Sequence, residues 1–241
     1  MNAIAKFVKY CSKRSRERRA VIFRSSFSLD EDTRILDLGS ESGSSIKAVL
    51  EGTRVQPSNV YIADLDAEAV AKGSEEYGFV PVVIRESESL PFEDGFFDVV
   101  YCSSVIEHVT VRKEKVWSLY SGRSFRAESF KRQREFAQEI RRLGKQYFVQ
   151  TPHRHFPIES HTWLPFIAWL PRWLLILVLR TTNLFWVKKT CPDWNLLNEA
   201  QMHELFNDAE ILYEKTLGMT KSIMAVGSRS SQAVRNSVLT Q

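Results

Sequence analysis

From residue 33 onward, short apolar runs alternate with segments whose apolar residues recur every three to four positions. Runs of four to seven residues have strand length and a period near 3.6 is helical, so the alternation is the signature of βαβ units on a mostly parallel sheet. The strands read from this pattern are residues 34–38, 60–63, 80–84, 97–102 and 146–150. Between the first two, Ile46, Val49 and Leu50 fall at i, i+3 and i+4 ahead of Gly52, which predicts a short amphipathic helix. Asp66 is placed to cap the next helix, and Gly144 to end one whose apolar face is Phe136, Ala137, Ile140 and Leu143. Asn198, with Gln201 three residues on, opens another. Two last runs, 211–216 and 222–226, are joined by a few residues around Gly218. So short a link cannot make a parallel crossover, and the expected ending is an antiparallel hairpin.

With 241 residues, 44% hydrophobic and 26% charged, the chain suits one globular α/β domain with an elaboration rather than a disordered protein. Its net charge of +4 is unevenly spread. Lys6, Lys9, Lys13, Arg14, Arg16, Arg18, Arg19 and Arg24 crowd the start against only Glu17, a pattern that suits anionic lipid, nucleic acid or a solvated chain end. No apolar run of secretory type follows it, and Cys11, Cys102 and Cys191 form neither a disulfide framework nor a zinc pattern, so a reducing, cytoplasmic setting is expected. The organisation read from the chain is a basic segment 1–30, a main α/β domain 31–226 with an apolar insertion 152–197, and a polar tail 227–241.

The stretch RILDLGSESGSS, residues 34–45, runs from a strand through a glycine–serine turn into a helix. In an open parallel sheet such a turn borders the ligand. A dinucleotide fingerprint fails because Glu41 stands at the second glycine position and Ser44 at the third, and a phosphate-binding loop fails because no Lys-Ser/Thr pair follows. A ligand with an amino-acid half and a nucleoside half, but no phosphate, tolerates the Glu41 carboxylate. Asp64, closing the second strand, is placed to accept two ribose hydroxyls, and Asp37, closing the first, to meet an ammonium.

These stretches, with VYIADLD and above all ESLPFEDGFFDVVYCSSVIEHV (residues 88–109), resemble the class I S-adenosylmethionine-dependent methyltransferases, in particular the subgroup that includes ubiquinone and menaquinone biosynthesis enzymes. The resemblance covers residues 33–151 and resumes at Asn198. It implies a Rossmann-like, seven-stranded, mostly parallel sheet with helices on both faces and an antiparallel C-terminal hairpin. It also implies that S-adenosyl-L-methionine is the cofactor. On that analogy Asp37, Gly39, Ser40 and Gly43 line its amino-acid half, Asp64 and Leu65 its ribose, and Glu86 and Ser87 its adenine. Ser103 and His108 then lie by the methyl group. Where this chain has Glu41 and Glu86, the family more often has glycine and aspartate.

The acceptor side is expected in QTPHRHFPIESHTWLP, which supplies His153, His155, Glu159 and His161 just past the fifth strand. With His108, His155 and His161 are the candidate catalytic bases. No metal is expected there, because the spacing lacks cysteines and matches no helical H-x-x-x-H pattern. Similar threonine–proline–histidine segments occur in methyltransferases associated with bacterial cell-surface glycans, a second resemblance. The stretch 163–186 is rich in tryptophan and leucine, but Pro165, Pro171, Arg172 and Arg180 interrupt it, so it does not span a membrane. Three fates are open to it: a bilayer interface, a lid on its own domain, or a subunit contact. Together with the basic N-terminus it favours the first, and so an amphiphilic acceptor, small or lipid-linked, at the inner membrane face. The alternatives are RNA methylation and a non-catalytic binding module. Against RNA, Glu128, Glu135 and Glu139 interleave with Arg123, Arg126, Lys131, Arg132 and Arg134 as on an ordinary solvated helix.

Overall fold

The computed structural model describes residues 3–85, 88–186, 188–216 and 218–228. Seven strands form one sheet in the order β3-β2-β1-β4-β5-β7-β6. The strands are β1 (Ile35–Leu38), β2 (Val60–Asp64), β3 (Val80–Val83), β4 (Phe97–Ser103), β5 (Gly144–Pro152), β6 (Glu210–Thr216) and β7 (Met219–Ser228). β1 pairs in parallel with β2 and β4, and β2 with β3, while β6 and β7 run antiparallel. The expected hairpin is therefore present, with Gly218 at positive φ in its turn. The helices are α1 (Ala3–Ser26), α2 (Ser44–Val49), α3 (Ala67–Tyr77), α4 (Gly122–Leu143), α5 (Arg172–Thr182) and α6 (Glu199–Leu205).

The predicted caps are the observed ones. The Asp66 carboxylate accepts from the backbone N–H groups of Glu68 and Ala69, satisfying two donors that a helix start leaves free. Asn198 and Gln201 close a reciprocal capping box on α6. α4 stops at Leu143 and Gly144 begins β5. β5 and β7 are longer than their apolar runs because hydrogen bonding carries each beyond the residues that are buried.

The chain divides into two compact units. The first comprises Met1–Cys102 and Leu143–Phe148. Its strands β1 and β4 are almost fully buried, as expected where a parallel sheet is covered on both faces. The basic opening segment forms α1, whose final turns enter this core: Phe23 is buried and meets Tyr101 and Phe148 edge-on, and Arg24 Nη1 donates to the Val49 carbonyl at 2.7 Å. Lys13, Arg14, Arg16 and Arg18 remain exposed. Tyr61, Phe92, Phe96 and Phe97 form an aromatic cluster within the same unit.

The second unit comprises Ser103–Arg142 and Val149–Gln241. The apolar insertion contributes α5, of which Leu175, Ile176 and Leu179 are buried. Leu175 and Leu179 pack with Ile167, Trp194 and Leu196, while Trp173 and Leu177 on the opposite face are exposed. α5 is thus amphipathic, although its sequence is apolar on almost every side. Arg172 fixes its start: the guanidinium donates to the carbonyls of Val116, Leu119 and Pro192 and lies 3.3 Å from the centre of the Phe125 ring. Burial lowers the Arg172 pKa to about 10, which leaves it charged at neutral pH. No helix among the described residues is long and apolar enough to cross a membrane.

Candidate functional site

In the first unit, the turn between β1 and α2 is held open by its backbone. Glu41 adopts φ 50° and Gly43 φ 73°. A side chain at Gly43 would come within 2.8 Å of Ile62, so the position is closed to larger residues by packing as well as by conformation. α3 is drawn equally close, since a Cβ on Gly73 would lie 2.2 Å from the Ser42 carbonyl oxygen. Asp64 then ties the turn to β2: its Oδ2 accepts from the Glu41 N–H at 2.8 Å and its Oδ1 from the Asp66 N–H at 3.1 Å. Each of those oxygens keeps a further lone pair. The Glu41 side chain is exposed, so the carboxylate that disfavours phosphate is solvated.

Asp37 is 3% exposed, and its Oδ2 has no hydrogen-bond partner. Burial, assisted by the charge of Asp64, raises its pKa to about 8. A buried acceptor without a donor is costly. A cationic ligand group, or a water held by one, is what such an oxygen lacks. Gly39 and Ser40 follow directly, with their N–H groups directed at the Ala63 carbonyl, and Leu65 beyond Asp64 is exposed. Glu86 and Ser87, expected at the adenine, lie outside the described residues.

In the second unit, three loops converge on a histidine–carboxylate cluster. Glu107 and His108 come from the loop after β4. Glu159 and His161 come from the loop after β5, and Asp193 from the segment before α6. Glu107 is fully buried; Thr151 Oγ1 donates to its Oε2 at 3.0 Å, while Oε1 has no hydrogen-bond partner. His161 Nε2 stands 3.9 Å from that Oε1, and its Nδ1 meets Glu159 Oε1 at 2.5 Å. His108 Nδ1 lies 3.5 Å from Asp193 Oδ1, and the two imidazoles meet edge-on at 4.6 Å. Trp194 stacks on His161.

The loops are bolted together by polar side chains. Gln133 of α4 donates to the carbonyls of Ile106 and Asn195, and the Asn195 amide returns a bond to Gln133. Thr110 Oγ1 donates to the Asp193 carbonyl, and the Asn195 N–H to that of Glu107. Burial pushes the Glu107 carboxyl up against the pull of both histidines. Burial also opposes ionisation of Glu159 and Asp193, but hydrogen bonds, from His161 and Thr162 in the first case and His108 in the second, outweigh it and hold both below the usual range. For His108, burial favours the neutral ring, yet the Asp193 bond and the Glu107 charge outweigh it and raise the pKa.

Of the histidines expected to act, the structure brings His108 and His161 together. His155 is exposed and contacts His153, whose pKa is lowered first by burial and then by the His155 charge. Ser103 is engaged elsewhere, donating to Gln150 Oε1 at 2.8 Å. Sequence reasoning assigned no role to Glu107, Thr151, Asp193 or Trp194. The Glu107–His108 pair lies in the stretch that carries the family resemblance, so a signal for it existed; nothing around Asp193 marks that residue.

Residues 36–120 match a family described as a methyltransferase domain. No curated protein matches the chain by sequence. Among solved structures, magnesium protoporphyrin IX methyltransferase from Synechocystis PCC 6803 with bound S-adenosylhomocysteine is 14% identical, covers 95% of this chain and 89% of its own, and superposes with a TM-score of 0.53. The putative methyltransferase complexed with the Trm112 activator from Haloferax volcanii gives 14%, 88%, 87% and 0.53. An S-adenosylmethionine-dependent methyltransferase from Mesorhizobium loti gives 14%, 86%, 95% and 0.50. Identities this low speak to the fold alone, and the domain match speaks to the chemistry. Residues 36–120 thus match the methyltransferase-domain family, whose cofactor is S-adenosylmethionine, within a chain that has the Rossmann-like fold of solved methyltransferases.

Proposed function

We propose that the chain transfers the methyl group of S-adenosylmethionine to an oxygen of an amphiphilic acceptor, small or lipid-linked, at a membrane surface. The cofactor supplies, when bound, a methyl group made electrophilic by its sulfonium. The residues of the first unit suit it: Asp37 offers a buried oxygen without a donor, Asp64 retains free lone pairs for hydroxyls, and Gly39, Ser40 and Gly43 give a phosphate-free turn. Leu65, Glu86 and Ser87 complete the assignment by family analogy. The second unit supplies what acceptor chemistry needs, a buried group of carboxylates and imidazoles beside which an acceptor oxygen loses its proton.

The amphiphilic reading is carried by α5 and its surroundings. Trp173 and Leu177 are each 56% exposed, with Phe185 at 71% and Leu184 at 82%; exposed Arg180 lies among them in sequence and exposed Lys189 just beyond them. Tryptophan and leucine flanked by cations suit a bilayer interface or the tail of an amphiphile. The buried face of α5 packs on Trp194, the residue that stacks on His161, so apolar surface and polar cluster share one packed block. Incubation with methyl-labelled cofactor and fractionated cell extract tests the reading. Label is expected in the lipid-extractable fraction; label confined to RNA or to water-soluble products overturns the acceptor assignment, and no label with cofactor bound leaves a binding module.

A further inference from the structure

We propose that Glu107, His108 and His161 bind one divalent first-row transition ion. Their donor atoms lie within 4.8 Å of one another. Two imidazoles and one carboxylate are a donor set that suits zinc, cobalt or iron(II). Metal–ligand bonds near 2.1 Å place donor atoms roughly 3.4 Å apart in a tetrahedral site. Closing from the observed spacing takes less than one bond length, by rotation of side chains borne on loops.

An ion explains features that a metal-free hydrogen-bonded cluster leaves unexplained. Glu107 Oε1 is fully buried and receives no hydrogen bond. The 3.9 Å to His161 Nε2 is too long for one. Its other oxygen is already held by Thr151, so the open oxygen is fixed toward the histidines. Each imidazole has a carboxylate at Nδ1, Glu159 for His161 and Asp193 for His108. This carboxylate–histidine pairing places the proton on Nδ1 and leaves Nε2 with a lone pair for a metal. Gln133, Thr110 and Asn195 hold the contributing loops in register, as a site that must present three donors at once requires.

Three protein donors leave a coordination position open, and that position takes an oxygen ligand, so the ion holds and polarises an acceptor hydroxyl. The inference extends the methyl-transfer reading, but the metal site does not depend on the identity of the acceptor.

The test uses the full chain, stripped with a chelator and titrated with Co²⁺, whose visible ligand-field absorption reports nitrogen and oxygen coordination. Saturation at one equivalent is expected. Glu107→Gln and His161→Gln are expected to weaken binding by at least about 100-fold. Glu159→Gln, which weakens the hold on the His161 ring and on the N–H groups of His161 and Thr162 but removes no proposed ligand, should cost about 10- to 100-fold. His203→Ala, on the exposed side of α6, should bind as the native chain does. Circular dichroism and S-adenosylhomocysteine binding, read on the same samples, show that each variant folds; should Glu107→Gln fail to fold, His161→Gln, at a side chain that is less deeply buried, carries the test alone. Absence of a saturable Co²⁺ band in the native chain, or equal affinity in His161→Gln and His203→Ala, overturns the site. Loss of S-adenosylhomocysteine binding by the native chain would instead overturn the methyltransferase reading and leave the metal titration standing.

Discussion

The two polar centres of the molecule are built in opposite ways. The glycine–serine turn after β1 draws its residues from one βαβ stretch, positions 37 to 73, where strand ends and glycines fix the geometry almost locally. The histidine cluster draws Glu107, Thr151, His161 and Asp193 from across nearly ninety positions of sequence, and its geometry exists only when three loops are bolted together. A locally built site is robust to distant change and sensitive to one backbone residue. An assembled site is the reverse.

The largest expected effect sharpens the local side. Asp64→Ala removes the acceptor that holds the Glu41 and Asp66 N–H groups as well as the one expected to face the ribose. Losing hydrogen bonds to a charged group costs about 3 kcal/mol, or roughly 100-fold in S-adenosylhomocysteine affinity by calorimetry. Retained affinity would break the comparison at its root.

Next comes the assembled side. Gln133→Leu strips the Asn195 carbonyl and amide of their Gln133 partners in a buried setting and leaves the Ile106 carbonyl with only the Val109 N–H. It should destabilise the chain by about 3 kcal/mol and lower Tm by about 6–12 °C, with cofactor affinity at a temperature below the transition unchanged. A parallel fall in affinity would show that the two centres are not independent.

Asp37 provides a pH test of smaller size. Because its pKa is raised to about 8 from 3.8, the folded chain holds a proton that the unfolded chain has released throughout that interval. Stability therefore falls as pH rises across the window and levels off above it, and Asp37→Asn should abolish that slope in denaturant titrations at successive pH values. An ammonium favours the ionised form, so cofactor affinity should drop by up to about tenfold between pH 8 and pH 7 and lose this dependence in Asp37→Asn.

The smallest effect is at Glu41. A non-glycine residue at φ 50° carries left-handed strain of about 1 kcal/mol. Glu41→Gly should raise Tm by about 1–4 °C with little change in cofactor affinity, because the side chain is solvated and the N–H given to Asp64 survives. A large loss of affinity would mean that the carboxylate touches the ligand after all.

The turn after β1 was legible because its determinants are short-range. Strand period, glycine placement and a carboxylate at each strand end act within a few residues, so the backbone freedom of Gly39 and Gly43 and the strand-end places of Asp37 and Asp64 could be read from the residues, while Ser40 was named only from the family resemblance. Asp66 and the Asn198–Gln201 box were legible for the same reason. The acceptor side was half legible: His108 and His161 were named, His155 faces solvent, and Glu107, Thr151 and Asp193 had no assigned role, since no local pattern says which loop residues will meet. For α5 the sequence offered a segment apolar all round, and only packing showed which side Leu175 and Leu179 bury and which side Trp173 and Leu177 leave exposed.

By itself, then, the amino-acid order determined the parallel strands, the closing hairpin and a turn that matches no phosphate-binding motif, because periodicity and backbone chirality operate between near neighbours. Only the tertiary structure decided that Glu107 lies buried against two carboxylate-held histidines. Burial and the loss of a hydrogen-bond partner are properties of what surrounds an atom, and those surroundings come from parts of the chain that no local pattern connects.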